Sequence, residues 1–188
     1  VVHNKQLLLH WSRHFFLSFI HLFVPFVIIH HHHHHHHLPS SSQYHNEFHL
    51  AIENYLNNDM EGLKSLWSPD LQVFLNSVDA ISLDELVGLL EAQHSTYSIS
   101  MSWGVNEDIS YWVETTDYPG ADSYDPTTVT QTWFNWIATS KLTGETITMP
   151  AHISFFWGED GKIAQEYHMY DTAAMIAGIE AAQLAASE

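Results

Sequence analysis

The hydrophobic period changes once along this chain, near Ser98, and that change limits the fold more than any single motif does. Before it, apolar residues recur at three- and four-residue spacing: Phe48, Ala51, Ile52, Tyr55 and Leu56 in one stretch, then Leu83, Leu86, Val87 and Leu90 in another, with His94 next on the same stripe. That spacing gives a helix one apolar face. After it, apolar and polar residues alternate through 129–140, 145–157 and 162–170. Alternation is the signature of a strand with one buried face. Helices first and an antiparallel meander afterwards indicate an α+β domain, with helices packed on one face of a sheet.

Local signals set the boundaries. A helix is predicted over 47–57, broken by Asn57-Asn58-Asp59, and Asp59 can cap a short second helix over 63–67 that Ser68-Pro69 ends. A short strand follows over 71–75. Ser82 with Glu85 three residues later is a capping box opening the third helix. One long bent strand is expected over 99–115, interrupted near 104–108, and then a polar loop over 116–126 that could lie across a pocket mouth. Gly144 turns the next two strands, and Pro150 inside the second demands a bulge or an edge. Asp171 is placed to cap a final, Ala-rich helix over 172–184 rather than to act as a catalyst.

Residues 1–42 differ from the rest. Lys5 and Arg13 precede an apolar run over 15–29 that is short for a membrane span and contains His21 and Pro25, and eight His follow from His30 to His37. This segment reads as a secretory signal or as a leader added to the chain. Secretion follows in the first case, and a cytoplasmic location is the default in the second. A flexible His run has no fixed coordination geometry, so it is not counted as a metal centre. The globular domain is expected over 43–188.

The charge is equally uneven. All 22 acidic side chains lie at or after Glu47, against Lys64, Lys141 and Lys162, and the whole chain carries a net charge of −17. A surface this negative repels phosphate, which excludes nucleic acid and anionic membrane as partners. Halophilic or marine adaptation gives the same pattern. The chain has no Cys, which removes disulfides and thiolate chemistry without fixing a compartment.

Three stretches resemble the nuclear-transport-factor-2-like superfamily, nearest to its SnoaL-like polyketide cyclases and ketosteroid-isomerase-like proteins. Tyr55-Leu56-Asn57-Asn58-Asp59-Met60-Glu61-Gly62-Leu63 is similar to the family's first helix, break and second helix. Leu142-Thr143-Gly144-Glu145 is similar to its turn between two long strands. Gly161-Lys162-Ile163 through Asp171 is similar to its last strand. The resemblance implies a cystatin-like cone, in which a curved antiparallel sheet packs on N-terminal helices and a C-terminal helix closes the structure. It further implies a pocket in the cone and, commonly, a homodimer. The family's cyclases place a catalytic carboxylate three residues before the closing Asp, and this chain has His168 there. The ketosteroid isomerase base falls at Leu75 and its tyrosine at Ala51, so that mechanism is not carried over.

The last hairpin can be given a register. A loop of Glu159-Asp160-Gly161 pairs Gly158 with Lys162, and so sets Phe156 beside Ala164, Ser154 beside Glu166 and His152 beside His168. With Tyr170, that face is assigned to the cone interior. Ile153, Phe155, Trp157, Ile163, Tyr167 and Met169 then face outward and suit a dimer partner. The catalytic candidates are His168, as a base near neutral pH, with His152 and Glu166. Glu166 is expected to reach His168 only through a backbone bend. Phe134, Trp136, Tyr170, Tyr55 and Ser154 are ligand-binding candidates for a flat apolar or aromatic molecule. His152, His168 and Glu166 also form a two-His, one-carboxylate set, but no HxH or HExxH spacing supports it, so neither metal nor cofactor is expected. Two functions follow: a cyclase, isomerase or dehydratase acting on an apolar carbonyl compound, or a non-catalytic ligand-binding or dimerisation module.

Overall fold

The computed structural model describes residues 41–104, 109–123 and 125–187. The leader and its His run lie outside them, except for Ser41 and Ser42, which already belong to the first helix. The elements are α1 (Ser41–Leu56), α2 (Met60–Lys64), β1 (Trp67–Leu75), α3 (Leu83–Thr96), β2 (Tyr97–Ser102), β3 (Trp112–Tyr118), β4 (Thr127–Ser140), β5 (Thr146–Trp157), β6 (Ile163–Tyr170) and α4 (Ala173–Ala186). Among the described residues no helix is long and apolar enough to cross a membrane.

The helices form near where the period predicts, but the second lies earlier than expected: it ends at Lys64, and Trp67, Ser68 and Pro69 open β1 instead of closing the helix. α1 buries Tyr44, Phe48, Ala51 and Ile52 on one face. Asn58, at φ 57°, ends the turn that follows, and the Asp59 carboxylate accepts the Gly62 N–H at 2.9 Å to start α2. At α3 the Ser82–Glu85 capping box is complete. Its stripe buries Leu86 and Val87 and continues to Gln93, with His94 only partly covered. At α4 the cap position is Thr172. Asp171 acts one residue earlier, accepting the Ala173 N–H at 2.9 Å.

The strands form one sheet in the order β1-β6-β5-β4-β2, with β3 also on β4. β2 pairs with the C-terminal half of β4 and β3 with its N-terminal half, so the expected bent strand is two strands along one edge. β1 runs parallel to β6, which makes the sheet mixed rather than wholly antiparallel. The chain between them carries α3 and four strands, ample for a parallel return. Pro150 stays in register with Asn135 of β4, and β6 ends opposite Ala151. Pro150 therefore sits at a local edge, where its missing N–H costs no ladder bond.

The last hairpin departs from the expected register. Its turn is as expected: the Gly158 N–H donates to the Lys162 carbonyl at 2.7 Å and Gly161 has φ 76°. Beyond it, Trp157 pairs with Ile163 but Phe156 pairs with Gln165, leaving Ala164 as an extra residue in β6. This bulge shifts every later pair by one and exchanges the faces of β5 relative to β6. Ile153, not His152, lies beside His168; Phe155, not Ser154, lies beside Glu166. Phe155, Trp157 and Ile163 are buried in the core. Burying each such side chain is worth about 1.5–3 kcal/mol, far more than His152 and Ser154 could return in the same places.

Two apolar clusters fill the space between helices and sheet. One joins Phe48, Leu63, Trp67, Val73, Leu86 and Phe155. The other joins Tyr97, Phe134, Trp136, Met149, Met175 and Ile179.

Candidate active site

A cavity lies where the two clusters meet. Its volume is about 80 Å³. It is thus a narrow slot, with walls that are almost wholly apolar. Phe134, Trp136, Ala151 and Ile153 line one side and Ile52, Leu86 and Leu90 the other.

β6 brings three polar side chains into this slot. The bulge at Ala164 turns Glu166, His168 and Tyr170 inward together. Glu166 is 2% exposed and His168 6%. Glu166 Oε1 accepts the indole N–H of Trp67 at 2.6 Å. Glu166 Oε2 and His168 Nε2 are 2.7 Å apart, and His168 Nδ1 is 3.2 Å from the Tyr170 hydroxyl. No backbone bend is needed. Residues two apart on a strand are separated by roughly 6.6 Å, and two long side chains on one face close that gap. A carboxylate only accepts, so His168 donates from Nε2, and Nδ1 is left to accept from Tyr170.

A second polar chain lies across the slot. The Trp136 indole N–H donates to the Tyr55 hydroxyl at 2.9 Å, and that hydroxyl donates to Gln93 Oε1 at 2.7 Å. Gln93 Nε2 in turn meets Met175 Sδ at 3.1 Å. Burial pushes the Tyr55 phenol well above its ordinary range, against the pull of the Trp136 N–H. Tyr170 is raised first by burial, then by the nearby Tyr55 and the Glu166 carboxylate. Both phenols are therefore hydrogen-bond donors at neutral pH, not phenolates.

The sequence candidates divide accordingly. His168, Glu166, Tyr170, Tyr55, Phe134 and Trp136 all line the slot. His152 and Ser154 do not, because the bulge turns them to the outer face. There the His152 ring stacks on Trp133 at 4.7 Å. Its Nδ1–H donates to the Thr132 carbonyl at 2.9 Å, and Ser154 Oγ lies 3.3 Å from its Nε2. The set of His152, His168 and Glu166 is therefore not assembled, and among the described residues no three His, Asp or Glu side chains converge on a metal-sized gap. Trp67 and Gln93 were not among the candidates. Gln93 was legible as a polar residue three positions after Leu90 on the apolar stripe of α3. Trp67 was not, because its role depends on the pairing of β1 with β6.

No protein-family model matches the chain, and no curated protein sequence matches it. Solved structures do. PrhC from Penicillium brasilianum is similar at TM-score 0.54 and 13% identity, over 78% of this chain and 94% of that one. A ketosteroid isomerase-like protein from Erwinia carotovora atroseptica is similar at TM-score 0.52 and 13% identity, over 69% and 94%. IdmH from Streptomyces antibioticus, described as a proposed polyketide cyclase, is similar at TM-score 0.50 and 14% identity, over 73% and 99%. With helices on a curved mixed sheet and this order of elements, the chain has the nuclear-transport-factor-2-like cone fold found in SnoaL-like and ketosteroid-isomerase-like proteins.

Proposed function

We propose that this protein is a proton-transfer enzyme, acting by cyclisation, isomerisation or dehydration on a small, flat, apolar carbonyl compound and needing no cofactor. The observation that carries the reading is the buried Glu166–His168 pair, 2.7 Å apart in an otherwise apolar slot. Glu166 fixes the imidazole tautomer, so the free lone pair of Nδ1 points at the reacting end. On ligand entry the Tyr170 hydroxyl turns its proton from Nδ1 to the substrate carbonyl oxygen. Nδ1 then takes the proton from the α-carbon, the C–H electrons move into the enolate, and Tyr170 holds the oxygen. Return of that proton at another carbon gives an isomer. Loss of a β-hydroxyl as water gives a dehydrated product, and attack of the enolate carbon on a second carbonyl closes a ring. Tyr170 is suited to donate because its phenol is held protonated.

The test works with a panel of model ketones in place of the natural substrate. Aromatic and polyketide-like ketones are incubated with the protein in D2O, and deuterium uptake at the α-carbon is read by mass spectrometry. His168→Gln should slow that exchange by about 10²–10⁴-fold while ligand affinity is retained. The rival reading, a ligand-binding module, is favoured by the fact that the polar groups of the slot already satisfy one another. It predicts binding without exchange in the unaltered protein. We also propose a homodimer, joined through the outer face of the sheet.

A further inference from the structure

We propose that His45 and His49, on the outward side of α1, form a binding site for a divalent transition-metal ion of the zinc, nickel and copper group. The pair is remote in chemistry from the slot and does not rest on the function proposed above.

Residues four apart on a helix stand one above the other on the same face. Here the two imidazoles meet through their Nε2 atoms, 3.0 Å apart. Two nitrogens bound to one ion at about 2.0–2.1 Å are about 2.9–3.4 Å apart, for angles between a right angle and a tetrahedral one. The pair therefore already stands at the bite of a chelate. Two neutral rings in this arrangement share a single proton. Binding transfers that proton through water to the Nδ1 of the ring that carried it and puts the metal in its place, so both rings act as neutral donors.

The surroundings fit that exchange. His49 Nδ1 contacts the Tyr111 hydroxyl, on the chain leading into β3. A metal on Nε2 leaves the His49 proton on Nδ1, where Tyr111 oxygen accepts it and fixes the ring. Glu53 is one further turn along α1 and shares a surface cleft with His49, Asn57 and Tyr111. Its carboxylate acts electrostatically on Tyr111 and brings negative charge beside the pair. Neither ring is deeply buried, so an ion and its waters have access. The contrast with the run of eight His over 30–37 is geometric: a helix fixes the distance between two rings, and a homopolymer by itself does not.

The full chain, stripped with chelator, is melted with and without zinc chloride. Metal held at His45 and His49 is held by the folded state, so it should raise Tm as the metal concentration rises. Repeating the melt with the eight His over 30–37 replaced by Ala separates metal on the His run from metal at this pair, and the rise should persist. His45→Ala and His49→Ala should each abolish the rise, and Tyr111→Phe should weaken apparent affinity by up to about 10–100-fold. Should an alanine variant fail to fold, imidazole NMR of the unaltered chain decides: one set of His49 and His45 ring signals should respond at the lowest zinc additions at pH 7.5. An equal rise in Tm with both residues replaced overturns the site. So does zinc uptake with no rise in the unaltered chain, which leaves the His run as the only binder.

Discussion

Replacing Glu166 by Gln keeps the volume of the side chain and reverses one hydrogen bond. In the native site Oε1 accepts from the Trp67 indole at 2.6 Å and Oε2 faces His168 Nε2 at 2.7 Å. An indole N–H only donates, so the amide oxygen of the variant must stay toward Trp67. The amide nitrogen then faces Nε2, which must become an acceptor. The imidazole proton moves to Nδ1, where it points at the Tyr170 oxygen and no lone pair is left for a substrate. Both bonds of the side chain survive, the one from Trp67 unchanged and the one to His168 reversed, so the loss of stability should stay within about 1.5 kcal/mol, the net worth of one bond. Glu166→Ala differs: it strands an indole N–H and an imidazole nitrogen, at about 1–3 kcal/mol each, and leaves a void besides. The glutamine variant therefore separates tautomer from stability. Long-range ¹H–¹⁵N correlation of the imidazole should show Nε2–H in the native protein and Nδ1–H in Glu166→Gln. Deuterium exchange at the substrate α-carbon should fall about 10²–10⁴-fold. An Nδ1–H tautomer in the native protein, or the same tautomer and the same exchange rate in both, would refute the assignment of Glu166 as the orienting group.

Gly178→Ala in α4 should destabilise, although Ala outranks Gly in helices by about 1 kcal/mol. A Cβ there would lie 1.9 Å from the Tyr97 hydroxyl oxygen, which donates to the Met175 carbonyl at 3.0 Å in a buried site. Overpacking of about 1–3 kcal/mol plus the lost bond should outweigh the propensity gain, and Tm should drop by a few degrees, less so on a Tyr97→Phe background. A variant melting at or above the native temperature contradicts this. His94 has its Nε2 buried with no partner among the described residues, and burial holds its pKa below the ordinary value. Between that lowered pKa and roughly 6.5 the unfolded chain binds more protons than the folded one, so stability falls as pH falls through this window. The urea midpoint should drop between pH 7.5 and 5.5, with a shallower slope for His94→Gln; equal slopes would remove His94 as the cause. For the proposed homodimer, sedimentation should give a dimer at micromolar concentration and Tyr167→Asp should dissociate it. A monomeric native protein ends that proposal.

The outer face invoked for the dimer is not the one the sequence suggested. Phe74, Trp133, Phe156, Tyr167 and Met169 form it, with Phe74 stacked on Tyr167 at 4.5 Å. Phe155 and Trp157 have turned inward. The fold was legible because helical and alternating periods are local and repeated many times. The register was not, because a single unpaired residue, Ala164, decides it and leaves no compositional trace. The inward faces of β6 change parity there: Ile163 before the bulge, then Glu166, His168 and Tyr170 after it. Alternation counted back from His168 therefore gives the wrong side for Ile163. The same slip explains why Glu166 and His168 were legible as a pair, being on one strand, while His152 and Ser154 across the hairpin were not. The Trp67–Glu166 bond was out of reach for another reason. It joins residues 99 positions apart through a parallel pairing, and no turn announces one.

That pairing also orders events in time. β1 leaves α2 near the start of the domain and must wait for β6, the last strand, before either can complete its ladder. Contacts of such long sequence separation close late, because the loop entropy is lost before the contact repays it. Until β1 docks, Glu166 has no indole N–H beside it and water has free access to its carboxylate. The dry Glu166–His168 pair is thus a property of the finished domain alone. A chain halted one strand short of closure would hold most of its secondary structure and yet lack this buried pair.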